Sequence, residues 1–568
     1  MENGLIEPPD CQTVVADRFA LVRDHYPVII IGGGINGCGL FRDLSLQEID
    51  CLLIEKTDFC SGASAAPSRL IHGGIKYLET GEFRLVSQSA RERNLLLRNA
   101  PHYVKPLQTI IPMRNWLAGI GPSIARFAGR NAKMLDRGAL ITEIGLSLYD
   151  FFGRRFQTMP HHTLWMRGRL HREMPDLDKG ILAAGLYYEA RITQAERLGL
   201  ELVLDGLAAR PSCAALNHAS VTCAGGALQV IDAETGRSRR VTADVVVNAG
   251  GAWIDSVNQR LGIQSSHMGG SKGSHLIVNN QRLHDALHGR MIYFGTPDGR
   301  VNLLYPFMGN VLIGSTDILV ENPDEAVCSP EEFRYLIDVV AKVFPDIPIA
   351  EYEVIFTYCG VRPLPRADAS DPSSVTRDHS IKEDSLPGID VPVFSLIGGK
   401  WTTFRGFAEE AADLVLARLG RHRLTSTQDV PIGGGRDYPV GTDAGTRFIA
   451  RLATDHGLTT SRASALFERY GSTAFAVASW CAATQDHQLE TLPSFTANEI
   501  IRFCRAEFAS SLADVLHRRT DIALSGRLTT AVATEVANCM AAACEWSSKR
   551  SAEEVSDIVQ RARARIPL

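Results

Sequence analysis

A chain of 568 residues, 45% of them hydrophobic, has the length for two or three domains with large cores. Its formal net charge of −5 argues against a nucleic-acid binder, which needs a basic excess to meet phosphates, yet allows a local pocket for an anionic ligand. Twelve cysteines without C-x-x-C spacing read as reduced thiols of a cytoplasmic protein and speak against an iron–sulfur centre, and no unbroken apolar run approaches the ~20 residues that span a bilayer.

Residues 1–25 carry Glu2, Glu7, Asp10, Asp17 and Asp24 and no apolar stretch, so they read as an extension or docking arm and as neither signal nor transit peptide. The strongest pattern follows. An apolar strand over 27–31 runs into Gly32-Gly33-Gly34-Ile35-Asn36-Gly37, a helix is expected over 38–46, and a second apolar run, 51–54, ends on Glu55. This spacing predicts a dinucleotide site. Gly32 permits the tight turn, Gly34 lets the backbone approach a pyrophosphate, and Gly37 lets the helix pack close to the strand. The helix N-terminus offers amides and a positive dipole end to the phosphates, and Glu55 stands where a carboxylate can accept both hydroxyls of the ribose. A plain strand–turn–helix would leave Glu55 unexplained. Cys38, Cys51 and Cys60 lie in or beside apolar runs and read as small core residues.

From Phe59 to Glu79 small and hydroxyl residues, including Ser64, Ser68 and Arg69, lead to Leu70-Ile71-His72-Gly73-Gly74, a backbone suited to wrap an elongated ligand and return beside a flat ring. The stretches IGGGINGCG, SRLIHGGIKYLETGEFRLV and APHYVKPL resemble the FAD-dependent glycerol-3-phosphate dehydrogenases, of the D-amino-acid-oxidase-like flavoprotein superfamily. The resemblance implies FAD as cofactor and an α/β fold: a Rossmann-like FAD domain, an antiparallel β-sheet substrate domain and an all-α C-terminal domain. It assigns cofactor contacts to Gly32, Gly34, Gly37, Glu55, Ser64, Ser68, Arg69, His72, Gly73, Gly250, Gly398, Gly399 and Thr402.

Beyond Tyr77 the pattern turns helical, with Phe83, Val86, Ala90, Leu95 and Leu97 on apolar faces and Arg84, Arg91, Glu92, Arg93 and Arg98 read as a solvated face. Pro101 and Pro106 close it, and 107–111 reads as a strand. Residues 113–178 are rich in Gly, Arg and aromatics, with helical periodicity over 141–152; the adjacent His161 and His162 point apart, and no metal role is expected. A strand over 181–192 leads into a helix over 193–204. A hairpin over 229–241 turns at Glu234-Thr235-Gly236, and a buried strand at 245–247 runs into Asn248-Ala249-Gly250-Gly251. Short strands at 274–278, 291–294, 302–306 and 310–314 predict an antiparallel sheet flooring a substrate cavity, with a helix over 329–344. A strand over 393–397, the turn Gly398-Gly399-Lys400 and a helix through Leu416 form a third cofactor element, with amides placed for the pyrimidine edge of a reduced flavin. Residues 428–568 read as a helical domain; within it, periodicity alone makes 506–520 an amphipathic helix. The expected FAD domain takes about 26–112, 181–260 and 355–425, and the substrate domain about 113–180 and 261–354.

Hydride transfer from a secondary alcohol requires the C–H over the ring, a group for the hydroxyl proton and a grip on the rest of the substrate, which for a phosphate means cations. By resemblance, Lys76, Tyr77, Arg362 and Arg377 bind substrate and Lys400 lies near flavin and substrate. His275 matches a histidine near the substrate hydroxyl and is the candidate base, with Arg362 the alternative group at that hydroxyl. Two positions depart from the family: Lys76 replaces an arginine and His379 a tyrosine, and residues 113–180 match poorly. Lysine keeps the charge but loses bidentate geometry. The expectation is oxidation of sn-glycerol 3-phosphate to dihydroxyacetone phosphate, with electrons passed to a quinone by peripheral membrane contact and a dimer as the oligomer. The rivals are a tetritol (erythritol) phosphate dehydrogenase, an amine or amino-acid oxidase of the same superfamily, a flavin-binding scaffold without turnover and an NAD-linked dehydrogenase.

Overall fold

The computed structural model describes residues 17–75, 82–116, 139–153, 159–224, 227–296, 300–366 and 378–566. The first sheet contains β1 (His25–Ile31), β2 (Cys51–Ile54), β7 (Ala214–Leu216), β8 (Ala219–Ala224), β9 (Ala227–Asp232), β10 (Ser238–Asn248), β17 (Ser380–Ser385) and β18 (Pro392–Ile397), in the order β17-β18-β10-β1-β2-β7 with β9 and β8 appended to β10. β1 lies between β10 and β2, parallel to both. That position explains its sequence: Val28, Ile29 and Ile30 are wholly buried, as a central parallel strand covered on both faces requires. Helix α1 (Ile35–Leu46) starts at Ile35, three residues before the predicted 38–46, and packs on α4 (Ala195–Ala209) and α6 (Phe404–Arg418). Phe41 and Leu44 are fully buried there, each stabilising the layer by about 1.5–3 kcal/mol.

The second sheet is wider than expected and mixed. It joins β3 (Leu70–Ile71), β4 (Val104–Met113), β5 (Thr163–Met166), β6 (Ala183–Ile192), β11 (Ser271–Val278), β12 (Met291–Gly295), β13 (Val301–Phe307), β14 (Asn310–Gly314), β15 (Ile318–Leu319) and β16 (Val354–Arg362). The four strands expected to form an antiparallel sheet, β11 to β14, pair antiparallel with one another, and β12 in addition pairs parallel with β4. β4 and β6 pair along their whole length, from Val104 opposite Ile192 to Met113 opposite Ala183. β12 covers β4 only at Thr109 and Ile110, so Pro106 and Pro112 fall outside that ladder and the strand runs through both prolines. Strand pairing therefore puts β4, β6 and β16, which lie within the stretches expected for the FAD domain, in this second sheet.

Helix α2 (Phe83–Asn99) corrects a second expectation. Arg84 and Arg98 are exposed, but Glu92 and Arg93 are buried, Glu92 receiving Arg405 and Arg93 meeting Glu189 at 3.1 Å. The helix predicted over 329–344 is α5 (Pro330–Asp338) followed by a 3-10 turn, Val339–Lys342; a capping box of Ser329 and Glu332 fixes its start. Helix α3 (Ala139–Gly153) lies against α2 and β6.

The C-terminal part is helical: α7 (Thr442–His456), α8 (Thr460–Tyr470), α9 (Ala474–Ala482), α10 (Ala497–Ala506), α11 (Thr530–Cys544) and α12 (Ser548–Ala564) enclose their own core around Phe495, Phe503 and Met540. Residues 506–520 are not one amphipathic helix. α10 stops at Ala506, Phe508 takes φ +64, and Ser511 caps a single turn that widens into a π-turn, Val515–Arg519.

Candidate active site

Three glycine turns lie at the carboxyl ends of neighbouring parallel strands. After β1, Gly32 takes φ +111, and a methyl there would stand 2.5 Å from the Ala249 carbonyl oxygen. That close approach follows from register, since Ile31 is opposite Asn248 and the Ala249 amide donates to Ile31 O at 2.8 Å. After β10, the Gly250 amide donates to Asn248 Oδ1 at 3.1 Å. After β18, Gly398 (φ +76) and Gly399 (φ +90) turn back, and Asn36 Nδ2 donates to Gly398 O at 3.3 Å. Gly37, in the first turn of α1, faces the Gly32 carbonyl without room for a side chain.

The segment after Phe59 laces these turns together. Ser64 Oγ accepts the Ile35 amide at 2.9 Å, and its carbonyl accepts Trp401 Nε1–H at 3.1 Å. Thr402 Oγ1 accepts the His72 amide at 3.2 Å. Glu55 sits at the end of β2, its Oε2 accepting the Gly33 amide at 2.7 Å and its Oε1 the amide and hydroxyl of Thr57 at 3.0 and 3.1 Å. Two observations test whether a dinucleotide suits this cradle. Gly34 caps α1 without a side chain of its own and the first turn holds no acid, so apart from Ser64 Oγ on the Ile35 amide the positive helix end is left to an anion. Asn36 Oδ1, in that same turn, is buried without a hydrogen-bond partner. The residues fit FAD: Glu55 would hold the ribose and the α1 terminus the pyrophosphate.

Arg69 is placed otherwise than the sequence suggested. It has no exposed surface; its guanidinium is held by Glu196 through Nη1 (3.0 Å) and Nη2 (2.5 Å), so its side chain is a strut under the loop. Gly73 is likewise fixed from beneath. Its amide reaches Tyr149 Oη and Glu189 Oε2, both at 3.0 Å, and Arg93 Nη1 donates to the same two groups at 2.6 and 3.1 Å. Burial pushes the Glu189 carboxyl above its usual range, against the pull of Arg93 and Tyr149. No local pattern in the sequence points to this clamp, whose members come from three distant elements.

The segment also reaches the second sheet. Ser68 Oγ lies 2.8 Å from His275 Nε2, and Tyr358 Oη donates to Pro67 O at 3.0 Å while its ring stacks on His275 at 4.8 Å. His275 is 2% exposed, and its Nδ1 is buried without a partner. Burial first, then the cations Arg362 and Arg69, pull its pKa down to about 3, so the imidazole is neutral. Arg362, at the end of β16, crosses Gly273, which has no side chain to block it. Its Nη1 donates to Asp317 Oδ1 at 3.0 Å and its Nη2 to Thr316 O at 3.1 Å and Ser315 Oγ at 3.3 Å. Asp317 went unnoticed in the sequence. Glu332 braces this group by accepting Lys272 Nζ at 2.7 Å, Ser274 Oγ at 2.9 Å and Thr316 Oγ1 at 2.5 Å.

Lys400 follows the third turn, with Nζ 3.5 Å from Ser89 Oγ. His379 lies behind that turn, its Nε2 2.6 Å from Glu410 and its ring 4.2 Å from Phe407. Lys76, Tyr77 and Arg377 fall outside the described residues. The structure thus unites Gly32, Gly34, Gly37, Glu55, Ser64, His72, Gly250, Gly398, Gly399 and Thr402 in one cradle, and joins it through Ser68 to His275 and Arg362.

The profile of the FAD dependent oxidoreductase family matches residues 27–414, and that of the C-terminal domain of alpha-glycerophosphate oxidase matches 425–551. A glycerol-3-phosphate dehydrogenase of Synechocystis sp. is 33% identical over 524 residues, covering 88% of this chain and 89% of its own. An aerobic glycerol-3-phosphate dehydrogenase of Staphylococcus haemolyticus is 29% identical over 521 residues, covering 88% and 87%. The crystal structure of a glycerol-3-phosphate dehydrogenase from Bacillus halodurans complexed with FAD shares the fold, with a TM-score of 0.73 over 97% of both chains at 22% identity. With three turns that suit FAD and family matches along nearly its whole length, the chain is an FAD-dependent oxidoreductase and belongs to the FAD-dependent glycerol-3-phosphate dehydrogenase family.

Proposed function

We propose that the enzyme oxidises the secondary hydroxyl of sn-glycerol 3-phosphate, giving dihydroxyacetone phosphate. The observation that carries this reading is a guanidinium held at a strand end beside a neutral, buried imidazole, with the cofactor cradle one segment away. Bound FAD supplies the acceptor for the hydride that leaves the carbinol carbon. Arg362 is oriented by Asp317 and by the Thr316 carbonyl, so its guanidinium is held at a fixed angle. In this reading it binds the substrate's oxygen and stabilises the developing alkoxide. His275 accepts a hydrogen bond from the hydroxyl, but a pKa near 3 makes it a weak proton acceptor until a phosphate dianion offsets the neighbouring cations. Lys76, Tyr77, Arg377 and Lys400 are assigned to the phosphoryl group and the substrate body.

The acceptor is assigned to a quinone, reached by peripheral contact with an anionic membrane as a dimer. Among the described residues no helix is long and apolar enough to cross a membrane. The support for surface contact is α3, where Leu140, Ile144, Leu148 and Phe151, at helical spacing, are 50%, 54%, 39% and 64% exposed. Sedimentation with anionic vesicles tests it: Ile144→Glu releases the protein, and undiminished binding contradicts this surface. A second reading, a tetritol phosphate as substrate, is favoured by Lys76 in place of a bidentate arginine. Turnover with a dye acceptor across glycerol 3-phosphate, erythritol 4-phosphate, glycerol and amino acids decides. The highest kcat/KM is expected for glycerol 3-phosphate; a higher value for erythritol 4-phosphate moves the assignment to the second reading, and turnover of amino acids alone overturns both.

A further inference from the structure

The segment that follows Glu55 is gripped by the helical C-terminal part. Asp58 is fully buried, and its carboxylate receives Arg519 through Nη1 (2.7 Å) and Nη2 (2.9 Å), Arg518 Nε (2.5 Å) and Asn217 Nδ2 (3.0 Å). Next to it the Phe59 ring fills the space beside Gly33, where an added methyl would lie 2.6 Å away. Phe508 stands edge-on to Phe59, ring centres 5.3 Å apart, and its carbonyl accepts Asn217 Nδ2 at 2.8 Å. The Cys60 amide donates to Gly33 O at 2.9 Å and the Gly33 amide to Glu55, so the 55–60 segment and the first glycine turn are one unit. Asp58, His218 and Asp514 could by proximity hold a metal, but Arg518, Arg519 and His218 already occupy the carboxylate oxygens, which makes this an ion-pair lock.

We propose that the Asp58–Arg519 pair and the Phe59–Phe508 contact are positioning groups for the cofactor: the C-terminal part holds the 55–60 segment in the shape that receives the adenosine end of FAD, and thereby sets FAD affinity. The proposal rests on FAD as cofactor and is independent of which polyol phosphate is oxidised. A doubly paired carboxylate is suited to this task, because removing one partner leaves a buried charge uncompensated directly behind the glycine turn.

The test is titration of flavin-stripped full-length protein with FAD, read by flavin fluorescence, beside its thermal midpoint. The variants are Asp58→Asn, Arg519→Gln, their double, Phe508→Leu and Arg469→Gln; the last breaks a buried pair with Glu499 inside the C-terminal core, away from the segment. Asp58→Asn and Arg519→Gln are expected to raise the Kd for FAD about tenfold or more, and the double no further, because both remove one shared interaction. Arg469→Gln lowers the midpoint but keeps the Kd within about twofold. Phe508→Leu, which leaves the ion pairs intact, raises the Kd by a smaller factor and decides the matter should the charge variants fail to fold. An unchanged Kd in Phe508→Leu and in any folded charge variant, or an equal rise in Arg469→Gln, overturns the proposal.

Discussion

Replacing Gly32 by alanine is the sharpest perturbation of the cofactor cradle. At φ +111 a side chain is strained in itself, by about 1–3 kcal/mol. The methyl would also stand 2.5 Å from Ala249 O and 2.8 Å from Gly250 N, roughly 0.9 and 0.6 Å inside ordinary contact, and both are backbone atoms that cannot rotate away. Nor can Gly32 retreat, because its amide is tied to Ile54 O at 2.8 Å. The turn must deform, and FAD binding, which requires its native shape, carries the loss: about 2–5 kcal/mol, at least a thirtyfold rise in Kd. Gly236→Ala separates the two effects, for Gly236 also has positive φ (+72) but an added methyl there meets nothing within 4 Å. The assay is FAD titration of the stripped protein with a thermal melt in parallel. Gly236→Ala should lose a little stability and no affinity. Wild-type FAD affinity in Gly32→Ala would refute the reasoning that these strands meet at the cofactor.

Further outcomes follow from the same geometry. Arg362→Lys keeps the charge but loses the fork that Asp317 and Thr316 O hold, so kcat/KM for glycerol 3-phosphate should fall about 10–100-fold; a smaller change in steady-state kinetics counts against its role. For His275 the sign is that of a depressed pKa: below pH 6.5 the unfolded chain takes up a proton that the native state refuses until about pH 3, so stability is lost progressively across that window as pH falls. His275→Gln should flatten the fall in thermal midpoint between pH 7 and 5, worth about 2 kcal/mol at pH 5, and an unaltered profile contradicts the neutral imidazole. Glu189→Gln leaves Arg93 buried and unpaired beneath Gly73, destabilising by about 3–5 kcal/mol, whereas Arg93→Met with Glu189→Leu should recover much of that in denaturant or thermal unfolding.

What could be read from the chain and what could not divide along one line. The glycine turns, Glu55 and the strands feeding them lie within short windows, where period and turn chemistry are visible. α1 starting at Ile35 instead of Cys38 is a boundary effect, since glycines weaken the helical pattern just where Gly34 caps it. The rest is long-range. Arg69 looked like part of a ligand-wrapping segment because Glu196 is 127 residues away, and Glu92 and Arg93 looked solvated because Arg405 and Glu189 are remote. β4 passed for a strand of the cofactor layer because its partner β6, which fixes its sheet, follows after a long intervening stretch. Residues 506–520 read as amphipathic because Asp514 and Arg519 mimic a polar face, yet both are buried in pairs.

The central claim is an FAD site serving the secondary alcohol of a phosphorylated polyol, and reduction of the bound flavin tests it most directly. Purified holoenzyme, mixed without oxygen with glycerol 3-phosphate, should lose its yellow absorption band in one turnover, while glycerol and amino acids leave it intact. Bleaching by an amino acid or by unphosphorylated glycerol, with none from any polyol phosphate, would contradict the account.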